Sequence, residues 1–297
     1  MLWKRNNKQD TNRITKHKKV KVGFAFGGGG VRGIALIGVL RAFEDLGLKA
    51  DFVAGTSIGS VIGALYSAGF SSSQMLEMMN GLREKDIRNS KVIWKPSKSE
   101  NIEQVLKDAF NKDLMFSELN IPLTVVACDI KTGEQANITS GSVAKACSGS
   151  CAVPGVFLPV IYEDMHLVDG GLHNNVPADV VRFMGADVVI AIDLNSGRGD
   201  GTDSLKLMDV LKASLGIMMQ ANVEKKLEYA DLVINPELKR FSSTKLKDVD
   251  DMIEIGYRVI MEHRQQIIDV VKKRQKRKIR TLWHKLKLER EKQNKTQ

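Results

Sequence analysis

The chain has 297 residues, 43% of them hydrophobic, and a formal net charge of +10; this is enough apolar material for one large α/β domain and excludes disorder throughout. Three cysteines, Cys128, Cys147 and Cys151, show no CxxC spacing and no companion histidine cluster, which argues against a disulfide framework and a zinc centre and suits a reducing compartment. The basic N-terminal stretch lacks the apolar core of a signal peptide, and the longest uncharged run, Phe52 to Leu76, holds six Ser and four Gly, so it reads as buried core and not as a membrane span.

The charge is uneven. Residues 1–21 carry eight Lys/Arg against Asp10, and residues 272–297 carry twelve against Glu289 and Glu291, which leaves an acidic body of about −7 between two basic arms. The arms, and not the body, are built to meet anions.

Along the chain, Val20 to Phe26 predicts a strand that runs into four glycines, followed by a helix over Ile34 to Leu46 closed by Gly47. Phe52-Val53-Ala54 repeats the plan with a turn at Ser57 and a helix to about Ala68. Two such units imply parallel strands with both turns at one edge of the sheet, where open α/β sheets bind ligands. Gly81 to Lys112 is polar and broken by Pro96, and reads as helices and loops. Strands are expected at Ile121 to Cys128, in a hairpin over Val160 to Asp169 turning at Glu163-Asp164, at Ala186 to Leu194, and at Asp231 to Asn235. A helical stripe then runs from Val249 to Val270, and after Lys272 the residues Ile279, Leu282, Trp283 and Leu286 among Lys and Arg describe a basic amphipathic helix. A three-layer α/β/α domain follows.

Two loops could carry chemistry. Gly55-Thr56-Ser57-Ile58-Gly59 is a GxSxG pattern between strand and helix; a sharp turn there lifts a hydroxyl out of the sheet above a helix N-terminus. Read alone, it is better taken as a glycine-permitted turn with a Ser N-cap. Gly27-Gly28-Gly29-Gly30-Val31-Arg32-Gly33 follows the first strand and lets backbone N–H groups converge on an anion. Gly28, Gly30 and Gly33 match GxGxxG, so a dinucleotide pyrophosphate is one candidate; the oxyanion of a tetrahedral acyl intermediate on the Gly28, Gly29 and Gly30 amides is the other. The dinucleotide reading needs a carboxylate at the end of the second strand, and Gly55-Thr56-Ser57 stands there instead.

A serine needs a base. His173 or His263 could complete a Ser…Asp…His order, although neither sits in a loop that presents an imidazole. Asp169 ends the apolar Leu167-Val168 and precedes Gly170 and Gly171, which expose its carboxylate.

The segments GGGGVRG, GTSIG and DGG, in that order, resemble the patatin-like phospholipases, bacterial branch, as do Cys151 to Val160 and Asn174-Asn175-Val176-Pro177. The resemblance runs from about Lys21 to Asn235 and implies a Ser-Asp dyad without histidine, hydrolysing acyl esters of phospholipids or lysophospholipids. It makes Ser57 the nucleophile, Asp169 the base, and Gly28 to Gly30 the oxyanion hole. Arg32 would orient the glycine loop, with Gly33, Gly55, Gly59, Gly170 and Gly171 as supporting positions. No metal or cofactor is expected. A catalytically silent lipid-binding scaffold is the further alternative. The expected layout is a basic arm over 1–20, a catalytic domain over 21–235, a packed C-terminal helix over 236–271 and a basic amphipathic tail over 272–297. The tails are expected to touch anionic membrane transiently, without nucleic acid, in a cytoplasmic protein peripheral on the inner face of the membrane.

Overall fold

A computed structural model of the chain describes residues 19–89, 100–195, 203–243 and 246–295. The first half runs β1 (Val22–Phe26), α1 (Ala35–Asp45), β2 (Phe52–Thr56), α2 (Ile58–Ala68), α3 (Ser72–Asn89), α4 (Glu100–Phe110), β3 (Leu123–Asp129), β4 (Glu134–Ile138) and α5 (Val143–Ser150). The second runs β5 (Val160–Tyr162), β6 (Met165–Asp169), α6 (Ala178–Phe183), β7 (Val188–Ile192), α7 (Leu207–Ala221), α8 (Val223–Leu227), β8 (Leu232–Ile234), α9 (Val249–Glu262) and α10 (Arg264–Lys295).

The sheet has eight strands in the order β5-β6-β3-β2-β1-β7-β8, with β4 paired to β3. The central pairs β3-β2, β2-β1, β1-β7 and β7-β8 are parallel, as the two strand-turn-helix units required. Period-two alternation sorts the core by size. Phe24, Phe26, Val53, Val125, Ile190 and Ile192 face the layer that holds α1 and α9, whereas Ala25, Ala54, Val126, Val189 and Ala191 face α6, through Ala178, Val180 and Val181. Strands buried on both faces read as unbroken apolar runs, which is why β7 was legible as one.

Helices α1 and α9 touch backbone to backbone. A methyl on Gly38 would lie 1.8 Å from the Ile253 carbonyl oxygen, and one on Gly256 would lie 2.0 Å from that of Ala35. Only glycine permits this approach.

Two elements depart from the expected layout. β4 was not foreseen: only Ala136 and Ile138 point inward while its other positions are polar and more exposed, so the strand carries almost no apolar signal. The C-terminal helix is two helices. α9 ends at Glu262, where His263 Nδ1 engages the Val259 carbonyl at 2.8 Å, and α10 then runs unbroken through the expected 271/272 boundary. The first part of the expected tail is docked on the body and is not a free arm. Gln275 accepts the Val20 N–H at 2.9 Å, and Lys278 pairs with Asp187, a carboxylate that also accepts the Lys21 N–H. An acidic spot at the foot of β7 holds this basic segment. Residues 1–18, residues 90–99 and the side chains of Leu282, Trp283 and Leu286 lie outside the described residues. Among those described, no helix is long and apolar enough to cross a membrane.

Candidate active site

Sheet register brings Ser57 and Asp169 together. β4 occupies one edge of β3 along Val125 to Asp129. On the other edge β2 pairs parallel up to Thr56 opposite Val126, and β6 pairs antiparallel with Asp169 opposite Ala127. The two strands therefore abut end to end, their C-termini at adjacent positions of one neighbour. The residue after Thr56 is Ser57. Two side chains 112 positions apart in sequence thus become neighbours through strand pairing alone.

Ser57 has φ 52° and ψ −129°, a conformation that L residues with a side chain avoid and that stores strain in the turn. The surroundings hold it there. Its N–H donates to Ser150 Oγ at 2.8 Å, and that hydroxyl donates to the Val126 carbonyl; its own carbonyl accepts the Ser60 hydroxyl at 2.6 Å. Thr56 Oγ1 donates to the Asn174 carbonyl at 2.7 Å. Gly59 lets the first turn of α2 lie against β1, since a methyl there would sit 2.3 Å from the Phe26 carbonyl oxygen, and Gly55 faces the Gly59 carbonyl in the same way.

Asp169 is fully buried. Desolvation pushes its pKa from 3.8 up to about 6, opposed by the Gly171 N–H, which donates to the carboxylate, and by the neighbouring Ser57 hydroxyl. The Gly171 contact is 2.8 Å, and the Asp169 N–H donates to the Ala152 carbonyl at 3.0 Å. A carboxylate raised toward neutrality beside a hydroxyl is poised as a base. The Cys151 thiol packs beside Ser57, and burial holds it neutral. Among the described residues no histidine is bonded to either side chain; His173 caps the turn after Gly170 and His263 serves the α9–α10 break.

The glycine loop lies alongside. A methyl on Gly28 would stand 3.2 Å from Ser57 Cβ, and Gly33 packs on the Ile58 side chain. Gly28 differs from Gly29 and Gly30, because its N–H already donates to the Asn175 carbonyl at 3.0 Å. Among the described residues the Gly29 and Gly30 amides donate to no protein acceptor. Gly30, at φ 57°, turns the chain into a 3-10 turn whose outer side is covered by Ser243, whose carbonyl accepts the Val31 N–H at 2.9 Å. Gly170 packs on the Val126 carbonyl and Gly171 against the Met219 methyl.

Several residues of this site were missed in the sequence. Asn195 Nδ2 donates to the Gly28 carbonyl at 2.8 Å, and Asn175 Nδ2 reaches the same oxygen at 3.4 Å. In a trans peptide the next N–H points the opposite way, so fixing the Gly28 carbonyl fixes the direction of the Gly29 N–H. Arg32 is buried and donates through Nε to the Phe241 carbonyl at 2.9 Å, while another guanidinium nitrogen faces Asn195 Oδ1 at 3.4 Å. It ties the loop to chain segments more than 160 residues away.

Comparison with known proteins places this geometry. The profile of the patatin-like phospholipase family matches residues 24–182, more than half of the chain. The chain belongs to the patatin-like phospholipase family. It is 28% identical over 289 residues to Patatin-like phospholipase domain-containing protein 7 of Mus musculus, covering 84% of this chain and 21% of that one. Lysophospholipase NTE1 of Pyricularia oryzae is 25% identical over 298 residues, covering 88% and 20%. The chain thus spans about a fifth of the length of these curated relatives. Among solved structures, VipD from Legionella pneumophila superposes with a TM-score of 0.53 at 15% identity, covering 86% of this chain and 67% of that one, a likeness of fold.

The patatin-like fold disposes of the competing reading of the glycines. A dinucleotide would need the crevice above β1 and β7, and Leu194, Asn195 and Phe241 to Ser243 pack against the glycine loop there. A hollow of about 430 Å³ lined by Phe52, Phe116, Leu123 and Met184 lies at the opposite strand ends, with no titratable group in its wall.

Proposed function

We propose that the protein is a serine acyl-ester hydrolase of lipids, of phospholipase A or lysophospholipase type. Ser57 Oγ attacks the acyl carbonyl carbon as its proton passes to Asp169; the oxyanion is held by the Gly29 and Gly30 amides, with Gly28 as the anchored end of the same loop. Collapse of the intermediate breaks the ester bond, and the proton returns from Asp169 to the leaving alcohol. Water then attacks the acyl-serine as Asp169 takes its proton, and the fatty acid leaves as the C–O bond to Ser57 breaks and Asp169 returns the proton to Ser57 Oγ. The supporting relatives include one named a lysophospholipase.

The observation that carries this reading is the strand register that sets Ser57 beside Asp169, a buried carboxylate raised to about pKa 6, next to two unengaged amides. A dyad built on a carboxylate needs this, because a solvated aspartate is too weak a base for a hydroxyl. Fluorophosphonate labelling tests it: wild type and His173→Ala react, whereas Ser57→Ala and Asp169→Asn do not. A labelled Ser57→Ala protein, or a His173→Ala protein that loses reaction with its fold intact, would sink the dyad. Hydrolysis of a panel of diacyl and lysophospholipids then fixes the substrate. In the same reading the basic C-terminal helix supports peripheral contact with anionic lipid on the inner, cytoplasmic face of a membrane.

A further inference from the structure

Helix α7 carries its apolar side chains outward. Leu207, Val210, Leu211, Ser214, Ile217, Met218 and Ala221 recur at i, i+3, i+4, i+7, i+10, i+11 and i+14, one face of a helix. Leu207 is 72% exposed, Ile217 57% and Met218 61%, and the preceding Leu205 is 96% exposed. Ser214 is the one polar position of the stripe. Asp209 is turned to the Ser204 hydroxyl at 2.6 Å. Soluble domains rarely leave such a patch in water unless something covers it.

The position of α7 says what covers it. Its inner face packs on the 3-10 turn Gly170–Leu172, where the Met219 methyl meets Gly171, the residue whose N–H holds the Asp169 carboxylate. On the other flank of Asp169, the segment that begins at Ala152, acceptor of the Asp169 N–H, leads to exposed Leu158. The turn that presents the base therefore packs against a helix whose exposed face is apolar. We propose that the outer face of α7 is a lipid-docking surface, which lies in the bilayer interface and sets the dyad against the lipid it hydrolyses. This rests on the acyl-hydrolase reading. A protein partner would bring hydrogen-bonding groups to match, and within the exposed stripe of α7 only Ser214 could meet them. A partner or second copy seated there would also stand between the site and aggregated substrate, whereas a bilayer supplies it. The attraction is apolar and needs no anionic headgroup, which separates it from any contact made by the basic tail.

The test uses the full chain and the variant Leu207→Gln/Leu211→Gln/Ile217→Gln, with Ile217→Gln alone as the milder form. Three readouts are compared: hydrolysis of a soluble short-chain p-nitrophenyl ester, hydrolysis of neutral phosphatidylcholine and lysophosphatidylcholine vesicles, and sedimentation with those vesicles. The expected result is soluble-ester turnover within about twofold of wild type, with vesicle hydrolysis and vesicle binding both reduced by about tenfold or more, and an unchanged melting temperature. Unchanged vesicle binding would overturn the proposal. So would equal loss of soluble-ester and vesicle activity in the milder variant, since the face would then belong to the site itself. A wild-type dimer that becomes monomeric in the variant would make the face a self-interface and overturn it too. If wild type hydrolyses neither substrate, the acyl-hydrolase reading fails, and vesicle sedimentation still decides the docking surface on its own.

Discussion

Asp169 is held with its charge at a cost. Its pKa in the folded chain, about 6, lies above the ordinary 3.8, so between those values the folded state holds a proton that the unfolded state does not, and stability falls as pH rises through that window. The full difference is worth up to about 3 kcal/mol above pH 6. Asp169→Asn is therefore expected to be inactive yet more stable than wild type, by about 1 to 3 kcal/mol at pH 8 and by much less near pH 4, as measured by urea unfolding at both pH values. Turnover needs the ionised form, so kcat/KM should rise about tenfold per pH unit below about 6 and level off above it; a profile flat from pH 5 to 8 would remove Asp169 as the base. Asn195→Leu leaves the dyad untouched and removes the shorter of the two hydrogen bonds to the Gly28 carbonyl, and is expected to lower kcat about tenfold or more with KM little changed; the comparison is the loss of an oxyanion donor, about 10²-fold. Ser57 and Asp169 were legible in the sequence because each sits where an apolar strand gives way to small residues. Asn175 and Asn195 were not, because their role depends on which way one peptide plane faces, and no spacing encodes that.

Among the elements, the parallel strands and their helices could be read from apolar periodicity, since burial on both faces forces it. β4 escaped because a half-exposed strand with two inward side chains carries too little pattern. The α9–α10 break escaped for the opposite reason: the apolar stripe continues across His263, so periodicity gives no sign of it. The α1–α9 contact shows what composition hides. Gly256→Ala adds one methyl 2.0 Å from the Ala35 carbonyl oxygen and is expected to cost about 1 to 3 kcal/mol through forced separation of the helices, with activity per folded molecule retained. Chemical denaturation beside active-site labelling checks both halves of that statement.

For the molecule as a whole, the uneven charge has a structural counterpart. The acidic body holds the basic helix where it starts, at Asp187, and the rest of α10 continues beyond that clasp. Truncation after Lys278 is expected to leave the melting temperature unchanged while lowering sedimentation with anionic vesicles. Truncation after Val271 also removes the Gln275 and Lys278 contacts and should lose about 1 kcal/mol, or about 2 to 4 °C. Equal vesicle binding by the full and truncated chains would free the tail of any membrane role.

The end-to-end meeting of β2 and β6 along β3 ties the chemistry to assembly. A slip of one residue by β6 would send the Asp169 side chain to the far face of the sheet and leave the serine without its base. A chain can thus be compact, helical and inert at once. The fraction of a refolded sample that accepts a serine-directed label reports the fraction whose strands have found their proper alignment, a census that circular dichroism would miss.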